Sequence, residues 1–471
     1  KFRLHLAALA TALLLAACGG GDPAITSVKV MGDSLADSGT FGLKFTVQGS
    51  AATGTGSTPI WPELVADDVS DAGALCAYNR VNLLTQAVTV QAGCTNYAVG
   101  GGRINNVSNP QDPRSITLQL QQAAQVHGSY KSSDLLLVDG GGNDAADLAG
   151  AYLGATTVEG QAAYRALLTS LVPAATVDAL FGQVGGPEQA GGAYMQALAD
   201  KFHDSIKASA LDKGASKVVV LNLPDITLTP RFQAVLAGVT QQAGAAAAQQ
   251  AQGLIRQWIV AFNTRLASRF AGNSQVALVD FYAALTDQVA NPAKYGLTNA
   301  VDTACPVVGV GGDGLPTYNF LTCTATALSA GNPPGGLING PNWWKTYLYS
   351  DSFHPTPYGH ELLADRRVQV FEVGLGHFFG AALLRHPIDD GDRRFGANRD
   401  RGHDDLELVR AELVDRQEGF VLPRQQHVAD AALDEGGGRA ARTGVQHRHV
   451  AEQRTHEPAG PGLIALEDLH S

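Results

Sequence analysis

Four short stretches of the sequence hold residue types that could act together on a carbonyl group. The first is "VMGDSLADSGT" (30–40), where Ser34 follows a short apolar run and precedes small, turn-forming residues. A serine hydroxyl attacks an ester only with a base to take its proton, a group to orient that base, and donors for the oxyanion. "YSDSFHPTPYGHELLADR" offers the base and its orienting group, His354 and Asp351, three residues apart. One tight turn can bring that carboxylate to the far nitrogen of the imidazole, which fixes the tautomer and stabilises the imidazolium. Pro355 and Pro357 stiffen the chain directly afterwards. "NYAVGGGRINN" carries glycines at 100–102, where backbone can approach a ligand as no side chain would allow. "DGGGNDAADL" carries Asn143, whose amide suits an oxyanion donor. Taken singly, each stretch also reads as ordinary structure: a polar turn, a helix cap, a glycine turn.

The elements that must position these residues are visible as apolar runs. "SVKVM" (27–31), "TNYAV" (95–99), "DLLLVDG" (134–140), "KVVVLNL" (217–223) and "QVALVDF" (275–281) are rich in Val and Leu, and most are nearly continuous. Strands buried on both faces of a parallel sheet read this way. Helical stretches lie between them, among them 193–212 and 251–272. The alternation predicts an α/β fold, a three-layer α/β/α sandwich around a mostly parallel sheet of about five strands. In such sheets ligands bind outside the carboxyl ends of the strands. Ser34, the glycine run and Asn143 all fall just after a predicted strand.

Of the 471 residues, 45% are hydrophobic and 16% charged, so a sizeable core can form through most of the length. The formal net charge of −11 argues against a nucleic-acid binder, which would show a basic patch or stripe. The N-terminal "KFRLHLAALATALLLAAC" places Lys1 and Arg3 before an apolar run that ends in Leu15-Ala16-Ala17-Cys18. This has the layout of a secretory signal and resembles a bacterial lipoprotein signal, in which Cys18 is lipidated. Residues 1–18 are therefore expected to direct export, either to an outer-membrane lipid anchor on Cys18 or to a secreted or periplasmic form. Gly19 follows, with no Asp there to signal retention at the inner membrane.

Cys76, Cys94, Cys305 and Cys323 are then left, an even number that in an exported chain suggests disulfides. Three pairings are possible, of which 76–94 and 305–323 are local. A structural zinc site competes weakly, since the four lack C-x-x-C spacing and a nearby His. The Gly-, Pro- and Thr-rich segment 300–345 is expected to be a disulfide-pinned excursion from a domain covering 26–380. Residues 385–471 contain no Lys, Tyr or Trp and are rich in Arg and His, a composition expected of a disordered or non-native tail. His127 and His203 are expected to be solvated, and His360 to sit in the first turn of a helix. Trp343 and Trp344 are candidates for either an acyl pocket or core packing.

Jointly the four stretches resemble the GDSL, or SGNH, serine hydrolases, whose signature blocks carry a Ser in GDS, a Gly, an Asn in G-x-N-D and a D-x-x-H. They occur here in the family's order as Gly32-Asp33-Ser34-Leu35, the run 100–102, Gly141-Gly142-Asn143-Asp144 and Asp351-Ser352-Phe353-His354. "NYAVGGGR", "LNLPDITLTP", "AFNTRLA" and "NPAKYGLTNAVDTAC" look like the bacterial lipase and esterase branch, and the likeness spans 26–366. The resemblance implies a flavodoxin-like strand order, with Ser34 as nucleophile, His354 as base and Asp351 as its orienting group. It further implies an oxyanion hole made of the Ser34 and Gly101 N–H groups and the Asn143 side chain. Where Gly102 stands, family members usually carry a small residue such as Ala. The expected activity is hydrolysis of small-molecule or lipid esters, with no metal, nucleotide or flavin cofactor. An acyltransferase or carbohydrate O-deacetylase would use the same site, and a non-catalytic surface lipoprotein would leave it idle.

Overall fold

The computed structural model describes residues 24–365, apart from 52, 55, 70–74 and 334–339. The leader with Cys18 and the tail 385–471 lie outside the described residues. Four of the five apolar runs form a parallel sheet: β1 (Ser27–Met31), β2 (Asp134–Val138), β3 (Val218–Leu221) and β4 (Val276–Val279), adjacent in that order. The fifth run, 95–99, lies along the outer side of β1. There the Val30 N–H donates to Thr95 O (3.0 Å), and the Tyr97 N–H donates to Val30 O (2.7 Å).

That run is held by isolated bridges to Val30 and Ala77 rather than as a strand. The pairing with β1 is broken at its next rung, because the Gly32 N–H that would meet Tyr97 O is donated to Gln119 instead (2.8 Å). Asn96 turns its side chain inward, donating to Ala36 O (2.7 Å) and accepting from the Ala98 N–H (2.9 Å). Nearby, the Cys76–Cys94 disulfide ties the neighbouring segment down. With the bridged run counted at the edge, the sequence runs lie in the spatial order 2-1-3-4-5 of flavodoxin-like sheets.

The two faces of the sheet follow from the two-residue period of strands. Met31, Leu136, Val138, Val218 and Val220 point into one core. Val28, Val30, Leu135, Leu137, Val219, Leu221, Ala277 and Val279 point into the other. Lys29, the charged member of β1, is buried and pairs with Asp134 of the adjacent strand (2.8 Å). The first core is covered by α2 (Ile116–His127), α3 (Gly142–Leu153), α4 (Gly186–Ser209) and α5 (Ala245–Phe270). The second is covered by α1 (Trp61–Val69), α6 (Phe281–Ala290) and α7 (Pro357–Asp365). Sheet and helices thus make the expected three layers. Cap chemistry sets helix starts where loops must turn: the Asp280 side chain accepts from the Ala283 N–H at the head of α6.

The segment 300–345 has a small core of its own around the Cys305–Cys323 disulfide. Tyr318, Phe320, Leu328, Trp343 and Trp344 pack there against Phe41, Phe45 and Val47, which follow the Ser34 turn. Among the described residues no helix is long and apolar enough to cross a membrane.

Candidate active site

The Ser34 turn is built at the carboxyl end of β1, where the chain leaves the sheet. Gln119 of α2 holds both sides of the Gly32 peptide, accepting from its N–H (2.8 Å) and donating to its carbonyl (3.0 Å). Asp139, just past β2, accepts from the Asp33 N–H (2.9 Å). Asp33 in turn caps the next residues by accepting from the Leu35 N–H (2.9 Å). Asp33 and Asp139 are both buried, and burial raises the pKa of each. The charge of Asp33 raises Asp139 further, while the Leu35 N–H and the His354 and Arg103 charges partly offset the rise at Asp33. Neither carboxyl was singled out by sequence reasoning.

Asp351 and His354 reach the serine from the distant C-terminal end of the described chain. Asp351 Oδ1 accepts from the Phe353 N–H (2.9 Å) and the His354 N–H (2.6 Å), closing the tight turn that the D-x-x-H spacing allows. The same carboxylate meets His354 Nδ1 at 2.9 and 3.0 Å. His354 Nε2 lies 2.7 Å from Ser34 Oγ. All three side chains are buried. Burial alone would raise the Asp351 carboxyl. The facing imidazole and the two N–H groups outweigh it, so its pKa falls below the usual carboxylate range. With that carboxylate on Nδ1, Nε2 is the nitrogen left to accept the serine proton. The imidazole is walled by Phe45 (ring centroids 5.1 Å apart), Phe320 (5.9 Å) and Phe353 (5.9 Å).

The glycine run passes beside the same turn. A β-carbon at Gly102 would stand 2.7 Å from Gly32 O and 2.9 Å from Asp33 Cα, so the close approach requires glycine. Gly101 has φ +74, in the left-handed region. The Gly100 N–H is taken by Asp37 Oδ2 (2.8 Å) and the Gly102 N–H by Val99 O (3.0 Å). Among the described residues no acceptor takes the Gly101 N–H, and none takes that of Ser34. Asn143, at the start of α3, donates one Nδ2 hydrogen to Gly102 O (2.9 Å), which leaves the other free to donate. The structure therefore brings Ser34, Asp351, His354, Gly101 and Asn143 into one neighbourhood at the sheet's carboxyl edge. A cavity of about 70 Å³ opens beside Ser34 and His354, with Leu223, Ile226, Phe281 and Leu285 among its walls.

Other residues fall elsewhere. Trp343 and Trp344 pack in the core of the excursion and donate their indole N–H groups to Leu328 O (2.9 Å) and Ser329 Oγ (3.0 Å). They do not line the cavity. His203, expected to be solvated, is instead buried in α4 between Asp204 and Arg269, both 2.9 Å from Nδ1. His127 is half-buried beneath the Tyr97 hydroxyl (3.2 Å). His360 sits in the first turn of α7, fully enclosed, and accepts from the Trp61 N–H (3.4 Å). Burial lowers its pKa to about 3, so it is neutral near pH 7. Among the described residues no group of three or more His, Cys, Asp or Glu could hold a metal ion, and the four cysteines form the local 76–94 and 305–323 disulfides.

A family model described as GDSL-like Lipase/Acylhydrolase matches residues 28–366. The curated protein "Lipase 1" of Photorhabdus luminescens is 25% identical over 382 residues, a match covering 74% of this chain and 50% of that protein. The chain thus matches about half the length of that relative.

Proposed function

The chain belongs to the GDSL-like lipase/acylhydrolase family, and we propose that it hydrolyses carboxylic esters through an acyl-enzyme on Ser34. The observation that carries the reading is the continuous line from Asp351 through His354 to Ser34 Oγ. His354 Nε2 takes the hydroxyl proton as Oγ attacks the ester carbon. The negative charge that grows on the carbonyl oxygen is met by the N–H groups of Ser34 and Gly101 and by the second amide hydrogen of Asn143. The imidazolium, held by Asp351, then protonates the leaving alcohol. A water activated by the same nitrogen releases the acid and restores the serine. The apolar walls beside Ser34 suit an acyl chain.

Export belongs to the same proposal. Two disulfides suit an oxidising compartment, and the leader ending at Cys18 would supply either secretion or a lipid anchor.

Purified protein is expected to label with a fluorophosphonate and to hydrolyse p-nitrophenyl acetate, and Ser34→Ala to lose both properties. Asn143→Ala should lower kcat by about 10²–10³-fold, or roughly 3–4 kcal/mol of transition-state stabilisation. Wild-type turnover by the Ser34→Ala protein would end the proposal. Product formation that requires an added alcohol or sugar acceptor would turn it into acyl transfer.

A further inference from the structure

We propose that Asp37 and Asp144 are positioning residues for the oxyanion hole. Each clamps the glycine segment from one of the two segments that carry the hole's other donors, and together they aim the Gly101 N–H. The inference rests on the assignment of Ser34, Gly101 and Asn143 made above.

Asp37 lies three residues beyond Ser34 and is fully buried. Its Oδ1 accepts from the Gly39 N–H (2.8 Å) and the Thr40 N–H (2.7 Å), and its Oδ2 reaches across to the Gly100 N–H (2.8 Å). Asp144 directly follows Asn143 and is also buried. Its two oxygens accept from the Ile104 N–H (2.9 Å) and the Asn105 N–H (2.8 Å). Only Gly101, Gly102 and Arg103 lie between these anchor points, and they are fixed in turn. Asn143 donates to Gly102 O, and Arg103 donates to Gly101 O (2.8 Å) while its guanidinium grips Asp147 (2.6 and 3.0 Å). Within Gly100–Asn105 the Gly101 N–H is left pointing at no protein acceptor.

An ionised carboxylate is the natural side chain for gathering several N–H groups, because it only accepts and its hydrogen bonds are charge-assisted. An amide or a protonated carboxyl would turn a donor of its own toward at least one of them. Both acids are held at a cost. Burial, over the opposing N–H groups, pushes each up to about 6. Asp144 also meets the raising charge of Asp147 and the lowering charge of Arg103, and it bears on Tyr194 and Lys201. Asp37 meets the Gly39, Thr40 and Gly100 N–H groups and the Thr40 side chain. Several N–H groups gathered on one buried carboxylate fix the backbone that carries them, and a misplacement of about 1 Å at a reacting centre costs on the order of 10²-fold in rate.

The full chain and the variants Asp37→Asn, Asp144→Asn and Asp178→Asn (an exposed control) are compared by four readouts. These are kcat and KM for p-nitrophenyl acetate, Ki for a trifluoromethyl ketone, fluorophosphonate labelling, and Tm. The ketone carbon takes up Ser34 Oγ, the proton passes to His354, and the resulting oxyanion probes the hole directly. In the two buried-site variants kcat is expected to fall about 10–100-fold, with KM within about twofold of wild type. Ki should rise by the factor that kcat falls, at assay temperatures well below the Tm of each variant. Retained kcat in both variants, or a loss that tracks a fallen Tm while Ki stays put, overturns the proposal. A wild type that neither turns over nor labels overturns the Ser34 assignment and this inference with it. If neither variant folds, Asp37→Ser and Asp144→Ser, which keep a small acceptor without the charge, are read in their place. A kcat and a ketone Ki both at wild-type values in these variants would refute the role of the two acids.

Discussion

At Gly102 the fit between the glycine segment and the Ser34 turn leaves no space for a methyl group, since the nearest contacts are backbone. Gly102→Ala is expected to destabilise the fold by about 1–3 kcal/mol, and to lower kcat as well because the displaced atoms belong to Gly32 and Asp33. Thermal unfolding and ester turnover, measured on one preparation, check this. A variant indistinguishable from wild type in both would show slack that the contact distances deny. The sequence made Ser34, Asp351, His354 and Asn143 conspicuous because their types and order carry chemistry. Asp37 and Asp144 stood in the same quoted stretches and went unremarked. The turn that Asp37 makes with Gly39 and Thr40 is local, but the partners that matter for the hole, Gly100 in one case and Ile104 and Asn105 in the other, are set by tertiary folding and leave no local spacing to read.

Among the elements, runs of Val and Leu were enough to place four strands, because burial on both faces demands continuous apolar character. The same pattern at 95–99 gave only a bridged segment, because the Gly32 N–H that would extend its pairing with β1 is held by Gln119. The excursion at 300–345 was legible as an interruption, but its purpose was not. It brings Phe320 onto the His354 ring. Replacing Cys305 and Cys323 together by Ser should therefore act at two levels. Loss of the cross-link should remove about 2–4 kcal/mol of stability, and the loosened Phe320 wall should lower kcat even at temperatures where the protein stays folded. Circular dichroism beside ester kinetics would separate the two effects. Full activity in a folded double variant would mean that the aromatic wall plays no part in holding the base.

For the molecule as a whole, two buried acids and a buried imidazole pull stability in opposite directions as the solution is acidified. Asp37 and Asp144 each titrate near 6 when folded, above the ordinary value of 3.8. Between those values the folded state binds more protons than the unfolded one, so stability rises as pH falls. Passing from pH 7 to pH 5.5 should relieve about 1 kcal/mol at each of them. Asp351 works the other way. Its lowered folded value gives stability that is present above the unfolded value and is lost only in stronger acid, so it is constant across this window. His360, lowered to about 3 and so neutral when folded, opposes Asp37 and Asp144, because its unfolded form takes up a proton near 6.5 and costs the fold about 1 kcal/mol over the same interval. The two acids are therefore isolated by difference: from pH 7 to pH 5.5 the urea midpoint of the wild type should rise relative to that of Asp144→Asn, which keeps His360 and lacks one raised carboxyl. A wild type that does not gain on the variant would contradict the raised values.

The nucleophile turn, the glycine segment and Asn143 all come from the first third of the chain, whereas the imidazole arrives only near residue 354, after the long helices and the second disulfide loop. On the proposed mechanism, a chain still being made would carry its serine with nothing to deprotonate it until residue 354 has been added and the D-x-x-H turn has closed against the Ser34 loop.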